Sequence, residues 1–418
     1  MELTAIDLFC GAGGSSTGLA RAGIEVLQAA NHWELAIASH SANHPETSHA
    51  CVDIHLEHPA SFRQSAVAWF SPECRVHSPA GGRKRKNVGQ LHLWEKSAPQ
   101  PEDVRSRMTA WDCLRFVEFH RQPFVIVENV IEFADWELFD NWLGCFHKLG
   151  YQHQTVCFNS QFADPSPVAQ SRDRLYMVFH REDCPKPKVD FQPPGYCQHC
   201  QTETTFRQSW KNPLRRIGRY GKRHQYVYRC DSCGQEGIPF RKPAKDALDW
   251  SLPTVRIGDR QKPLSPNTLK RIEKGLKRFY PQEFLLSNRA DNIPTSIGEP
   301  AKTVTSGDHQ GWMVQPEPFI SSYYGNGGEV QVSEPSPTIR THQGHALIEP
   351  DWSALVPDCR YRMLKPHEAK SLMGFPSDYV LLGNQRQQFK QAGNAVTPAV
   401  AEMLGRAIKD AMSEIRWV

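Results

Sequence analysis

Hydrophobic positions in the first half of the chain fall into short all-apolar runs, separated by stretches with helical spacing. Residues 4–9 form one such run with Asp7 inside it, and the turn Cys10-Gly11-Ala12-Gly13-Gly14 then leads into 17–23, which reads as a helix. A second run, 25–30, ends in Asn31-His32-Trp33; the helix after it carries Ala36 and stops near Asn43-His44-Pro45, and 50–54 reads as a third strand with Asp53 near its end. Residues 66–70 are apolar up to a proline turn at Pro72. Met108, Trp111, Cys113, Leu114 and Val117 recur at helical spacing within 105–121, and 123–127 is a buried strand that ends in Glu128-Asn129. The pattern continues through 151–159 and 175–180. Strands alternating with helices predict an α/β fold, a doubly wound Rossmann-like sheet that takes its ligands at the carboxyl ends of the strands.

The length of 418 residues makes this sheet part of a larger chain with a second domain. The first sixteen residues already contain a polar turn, and no later run is long and apolar enough to span a membrane, so a soluble cytoplasmic protein is expected. In that compartment twelve cysteines do not make a disulfide framework, and clustered ones point to metal binding or catalysis. The net charge of +4 hides a local excess: residues 201–229 hold eight Lys and Arg against the single acid Glu203. That segment predicts contact with a polyanion, although a solvated basic face is the commoner fate of such runs.

Candidate chemistry gathers at strand ends. Glycines 11, 13 and 14 let backbone pass close to a ligand at a helix start, as in a nucleotide-type cofactor site, but their spacing differs from the dinucleotide fingerprint of hydride transfer. Cys74 lies just past the apolar 66–70 run, beside small residues and the basic stretch 83–86, where a thiol is placed to attack. Its bland alternative is a small packing residue. Glu128 at the tip of a buried strand is either a paired structural acid or a catalytic one. Arg172 and Arg174, two apart at the start of a strand, face one side.

The ordered set Asp7-Leu8-Phe9-Cys10-Gly11-Ala12-Gly13-Gly14, Pro72-Glu73-Cys74, Glu128-Asn129-Val130, Gln170-x-Arg172-x-Arg174 and Gly393-Asn394-Ala395-Val396 resembles the motifs of the cytosine-C5 DNA methyltransferases of bacteria and phages. The segment from Arg362 through Met373-Gly374-Phe375-Pro376 resembles the motif that precedes the last of these. The likeness covers roughly the first 180 and the last 60 residues. It implies that Cys74 adds to carbon 6 of cytosine and so makes carbon 5 able to take a methyl group. Glu128 would bind the N3/N4 edge and Arg172 the exocyclic oxygen, with Arg174 and Gln170 supporting the site.

The implied donor is S-adenosylmethionine, held by Phe9, Gly11, Gly13 and Gly14. Asn31 and Trp33 would lie at the ribose, Asp53 and Ile54 near the adenine, and Asn394 near the amino-acid end. The partner is double-stranded DNA with the target base flipped out. A restriction-modification setting is implied without identifying an endonuclease, and a monomer is expected. Two departures stand out: Glu73 and Arg75 flank the cysteine where the family has proline and glutamine, and Asn31 replaces the usual acid. A carboxylate beside the thiol raises its pKa and Arg75 opposes that. Alternatives are the same chemistry on RNA, transfer of a modified one-carbon group, and a non-catalytic DNA-binding relative.

The division expected is a catalytic domain at 1–182, a β-rich target-recognition domain at 183–355 and a return to the catalytic domain at 356–418. Cys197-x2-Cys200 and Cys230-x2-Cys233 predict a structural Zn2+ in a ribbon at about 195–236, because four thiolates close a tetrahedral site. The basic stretch lies between them, interleaved with Trp210, Tyr220, Tyr226 and Tyr228, which either meet nucleic acid or form the ribbon core. Segments 299–316 and 334–350 repeat a turn, a β-type run and His-Gln-Gly, and read as paired hairpins. Their loop residues Thr305, Ser306, His309, Arg340, Thr341 and His342 are candidates for reading bases.

Overall fold

The computed structural model describes residues 3–73, 101–214, 216–253, 255–266 and 360–414, and between 267 and 359 mainly the backbone of short strands. Cys74, Arg75 and the loop residues of the two-copy repeat lie outside the described residues.

A seven-stranded sheet organises the first half. Its strands are β1 (Thr4–Leu8), β2 (Glu25–Asn31), β3 (Ser48–Cys51), β4 (Val67–Phe70), β5 (Phe124–Asn129), β6 (Tyr151–Asn159) and β7 (Asp173–Arg181), in the order β3-β2-β1-β4-β5-β7-β6. All neighbours are parallel except those of β7, which runs against both β5 and β6. Val67 to Phe70 and Phe124 to Val127 have no exposed surface at all. Covered on both faces, such central strands read as continuous apolar runs, which is why they stand out in the sequence.

Helices α1 (Gly14–Arg21), α2 (Glu34–Asn43), α3 (Pro101–His120) and α4 (Phe139–Lys148) connect the strands. The order reverses between β1 and β4, so the ends of those two strands, at Phe9 and Pro72, flank the switch-point crevice. After the ribbon and the later sheets the chain returns through α5 (Pro366–Leu372), α6 (Gln385–Asn394) and α7 (Pro398–Ser413). Helix α7 packs directly on α1. At Gly14 an added Cβ would sit 2.0 Å from the Val396 carbonyl oxygen, so only glycine permits this approach.

A second sheet, in the order β11-β10-β9-β8, is antiparallel throughout: β8 (Pro194–Cys197), β9 (Thr202–Trp210), β10 (Tyr226–Cys230) and β11 (Glu236–Gly237). Its inner residues Phe206, Tyr226 and Tyr228 are buried and belong to the same apolar cluster as the large sheet. These tyrosines are therefore core, the second of the two readings left open by sequence. The remaining strands are β12 (Val255–Arg256), β13 (Glu283–Ser287), β14 (Thr295–Ser296), β15 (Gln310–Val314), β16 (Phe319–Ser322), β17 (Glu329–Gln331), β18 (His345–Glu349) and β19 (Arg360–Met363). They form one sheet of order β12-β19-β18-β16-β17 and another of order β14-β13-β15. The strands that close the two repeat copies, β15 and β18, thus lie in different sheets, and among the described residues the copies do not pair with each other.

Candidate active site and cysteine cluster

The glycine turn is shaped by backbone. Phe9, Gly11 and Gly13 all have positive φ, at 61°, 53° and 96°, so the chain doubles back directly after β1. A Cβ at Gly11 would meet nothing within 4 Å, which leaves open space over the turn. No side chain caps the start of α1. Asp7 anchors the turn from below, its Oδ2 accepting from Ser15 Oγ and Ser16 Oγ, both at 2.6 Å. Burial pushes the Asp7 carboxyl up to about 6.

Beyond this turn, on the same side of the crevice, stand the ends of β2 and β3. Asn31 accepts the Trp33 N–H at 2.9 Å through Oδ1, and Lys390 places Nζ 4.2 Å from the centre of the Trp33 ring. Asp53 accepts the His55 N–H, and Ile54 is buried. Phe9, Asn31, Trp33 and Asp53 are half-buried, and Asn394 is exposed at the end of α6. An apolar and aromatic cleft beside a bare helix start fits a purine nucleoside that carries a charged tail.

Across the switch point, β4 delivers Pro72 and Glu73. The Ser71 N–H donates to the Leu8 carbonyl at 3.1 Å, Asn129 Nδ2 donates to the Pro72 carbonyl at 3.3 Å, and the Glu73 N–H reaches Thr109 Oγ1 at 3.1 Å. The chain just before Cys74 is thereby tied to the strand that carries Glu128. Glu128 is buried, and Arg174 Nε lies 3.1 Å from its Oε1. Burial raises the Glu128 carboxyl, opposed first by Arg174 and then by Arg172, and the net displacement is upward. A carboxyl held above its ordinary range is suited to keep or donate a proton.

Arg172, also buried, donates through Nη2 to the carbonyls of Gly393 at 3.2 Å and Ala395 at 3.0 Å, on either side of Asn394. Asn159 orders this corner by accepting the Arg172 N–H and donating to Ser171 Oγ. Gln170 supports it from behind, its Nε2 on Met373 Sδ. The structure therefore brings Glu128, Arg172, Arg174 and the segment around Asn394 together.

Polar groups beneath the glycine turn escaped the sequence reading. His40 lies 2.9 Å from Ser16 Oγ and 2.8 Å from His49, while His44 lies 3.1 Å from Thr17 Oγ1. Tyr379 OH donates to the Ala12 carbonyl. Burial first, then His44 and His49, hold His40 well below its usual range, so it is a neutral support of the turn. His40 lies in α2 and His44 is its C-cap, and their partners sit on other elements, so no spacing along the chain signalled the group.

Cys197, Cys200, Cys230 and Cys233 converge, with all four Sγ atoms within 4.8 Å of one another. Cys197 and Cys233 are 3.7 Å apart and Cys200 and Cys230 3.9 Å, against about 3.8 Å for the edge of a tetrahedron with zinc–sulfur bonds of about 2.3 Å. His199 is exposed and outside the cluster.

The family described as C-5 cytosine-specific DNA methylase matches residues 3–410. DNA (cytosine-5)-methyltransferase 3 of Arabidopsis thaliana is 22% identical over 481 residues, covering 98% of this chain, but the chain spans only 31% of that relative's length. Type II methyltransferase M.DdeI of Desulfomicrobium norvegicum is 22% identical over 421 residues, 96% of this chain and 88% of the relative. Among solved structures, the S. pombe Dnmt2 methyltransferase superposes with a TM-score of 0.53 at 14% identity, over 98% of this chain and 99% of its own.

Proposed function

The chain belongs to the C-5 cytosine-specific DNA methylase family, and on that premise we propose that it methylates carbon 5 of cytosine in double-stranded DNA. The observation that carries this reading is the Glu128–Arg174 pair, with Arg172 beside it, on a strand hydrogen-bonded to the Pro72 turn that leads into Cys74. The Cys74 thiolate forms a bond to carbon 6, and the ring π electrons move towards carbon 5 to give an enamine. Glu128 hydrogen-bonds N3 and holds the proton that neutralises the ring there; Arg172 and Arg174 fix its position and face the exocyclic edge. After transfer, loss of the carbon 5 proton expels the thiolate and restores the ring.

S-adenosylmethionine, when bound, supplies an electrophilic methyl group. Phe9, Gly11, Gly13 and Gly14 would hold it with Asn31, Trp33, Asp53, Ile54 and Asn394. Asn31 offers hydrogen bonds without charge where a carboxylate would repel a negatively charged donor. The Cys197, Cys200, Cys230 and Cys233 cluster would hold one structural Zn2+, since four thiolates leave no open position for water. Residues 1–182 and 356–418 form the transfer unit in this reading, and 183–355 reads the target.

The test is incorporation of labelled methyl into DNA, with bisulfite sequencing to map the modified cytosines and mass spectrometry of the product nucleoside. Wild type labels DNA and Cys74→Ser does not. Transfer to RNA alone, or to no nucleic acid, refutes the proposal.

A further inference from the structure

Asp7 is wholly buried at the end of β1, yet the groups that touch it suit a negative charge. Ser15 and Ser16 donate to its Oδ2 from the first turn of α1, the end of a helix that favours an anion. Its Oδ1 is buried with no hydrogen-bond partner. The direction of the chain behind it follows from this end. Ser16 has one hydroxyl hydrogen and spends it on Asp7, so at 2.9 Å its oxygen accepts from His40 Nε2. Neutral His40 then accepts at Nδ1 from His49 Nε2, 2.8 Å away.

Three links thus join a buried carboxylate, through α1 and α2, to the half-buried His49 on β3. When a proton enters at His49 Nδ1, then His49, His40 and Ser16 each pass one on. Asp7 becomes neutral, and the three hydrogen bonds persist with their direction reversed. His44 starts a second branch that ends on no acid: it lies 3.1 Å from Thr17 Oγ1, which donates to the Gly13 carbonyl at 2.7 Å.

The other titratable groups here favour their neutral forms. Burial pushes Cys10 and Tyr379 up and holds His40, His44 and His49 below their usual range. Ala29 on β2 and Trp69 on β4 flank Asp7 in the sheet. On α7, Glu402 pairs with Arg406, and Lys409 reaches the Ala22 carbonyl at the far end of α1.

We propose that the Asp7–Ser16–His40–His49 chain sets the charge beneath the glycine turn, and that ionised Asp7 makes the turn favour a cationic donor over its neutral product. The inference rests on S-adenosylmethionine as the donor, as proposed above. That molecule carries a sulfonium charge that S-adenosylhomocysteine lacks, and a buried carboxylate feels this difference in a medium of low dielectric. Such a preference helps clear the turn of spent product after each transfer.

The experiment is calorimetric titration of the full chain with each of the two ligands. The ratio of product Kd to donor Kd is expected to rise about fivefold from pH 5 to pH 7.5, as follows if the donor lowers the Asp7 pKa from about 6 by about one unit. Asp7→Asn holds the ratio near its acid value throughout. His44→Gln and His49→Gln keep the rise to within about twofold. A flat wild-type ratio, or a rise that survives Asp7→Asn, overturns the proposal. So does a rise abolished by either histidine variant, which assigns the charge to an imidazole. Should Asp7→Asn fail to fold, wild type and the two histidine variants still decide. A chain that binds neither ligand at any pH refutes the donor reading, and the proposal with it.

Discussion

Replacing Arg174 by methionine keeps most of the side chain's volume and removes its charge, so it isolates the pairing with Glu128. Both partners are mostly buried, with 15% and 11% of their side-chain surface exposed at a separation of 3.1 Å. Removing one member of a buried pair typically costs about 3–5 kcal/mol, because the other charge is left uncompensated. Arg172 continues to oppose the effect of burial on Glu128, so the lower end, about 3 kcal/mol, is expected. The sign of the pH dependence is fixed by the upward displacement of Glu128. The folded protein holds that proton to higher pH than the unfolded chain, whose glutamates titrate near about 4.3, so this group's contribution to stability is lost as pH rises through the folded value. Arg174→Met extends that window upward, at about 1.4 kcal/mol for each further unit. The deficit relative to wild type should therefore be small at pH 5 and grow towards pH 8 in urea unfolding. Adding Glu128→Gln should recover most of it. A deficit independent of pH, or a double variant no more stable than Arg174→Met, would refute the account.

Other consequences follow from contacts elsewhere in the fold. Gly14→Ala drives a Cβ towards the Val396 carbonyl, backbone against backbone, and should lower stability by about 3 kcal/mol in thermal or urea unfolding, whereas a neutral result would mean that α1 and α7 separate easily. The purified chain should contain about one zinc by atomic emission, and chelation or Cys230→Ser should release it and open the 195–236 segment to limited proteolysis. Glu368 accepts from both Arg362 amino groups at 2.8 and 2.7 Å, as well as from the backbone of Asp249 and Lys365. Glu368→Gln should cost about 3 kcal/mol, a loss that Arg362→Met in the same chain should partly relieve.

The central strands were legible because burial on both faces leaves an unbroken apolar run. The expected 66–70, 123–127 and 151–159 became Val67–Phe70, Phe124–Asn129 and Tyr151–Asn159. The edge strand was not: 50–54 was expected, and Ser48–Cys51 is observed. No residue of β3 is fully buried, and the apolar Val52 that extended the run bonds back to Asn31 as the chain turns away. The histidines under the glycine turn were hidden for a related reason. His40, His44 and His49 satisfy one another and Ser16 and Thr17 across separate elements, and no spacing along the chain encodes that. In the ribbon, four cysteines at the expected spacing did converge, while alternation alone left the facing of Tyr226 and Tyr228 undecided.

The end of the chain explains why motifs nearly 400 residues apart in sequence act as one. Arg172, the guanidinium beside Glu128, spends Nη2 on the carbonyls of Gly393 and Ala395, and the next residue, Val396, is the one that Gly14 must clear. Tyr379 then closes on Ala12 in the glycine turn itself. The C-terminal segment is thus a wall shared by the glycine turn and the Glu128–Arg172 corner. A change there moves both sites together, because the arginine and the turn are hydrogen-bonded or packed against the same short stretch of backbone. It follows that Asn394, exposed between the two carbonyls that hold Arg172, is positioned by Arg172 as much as by its own helix.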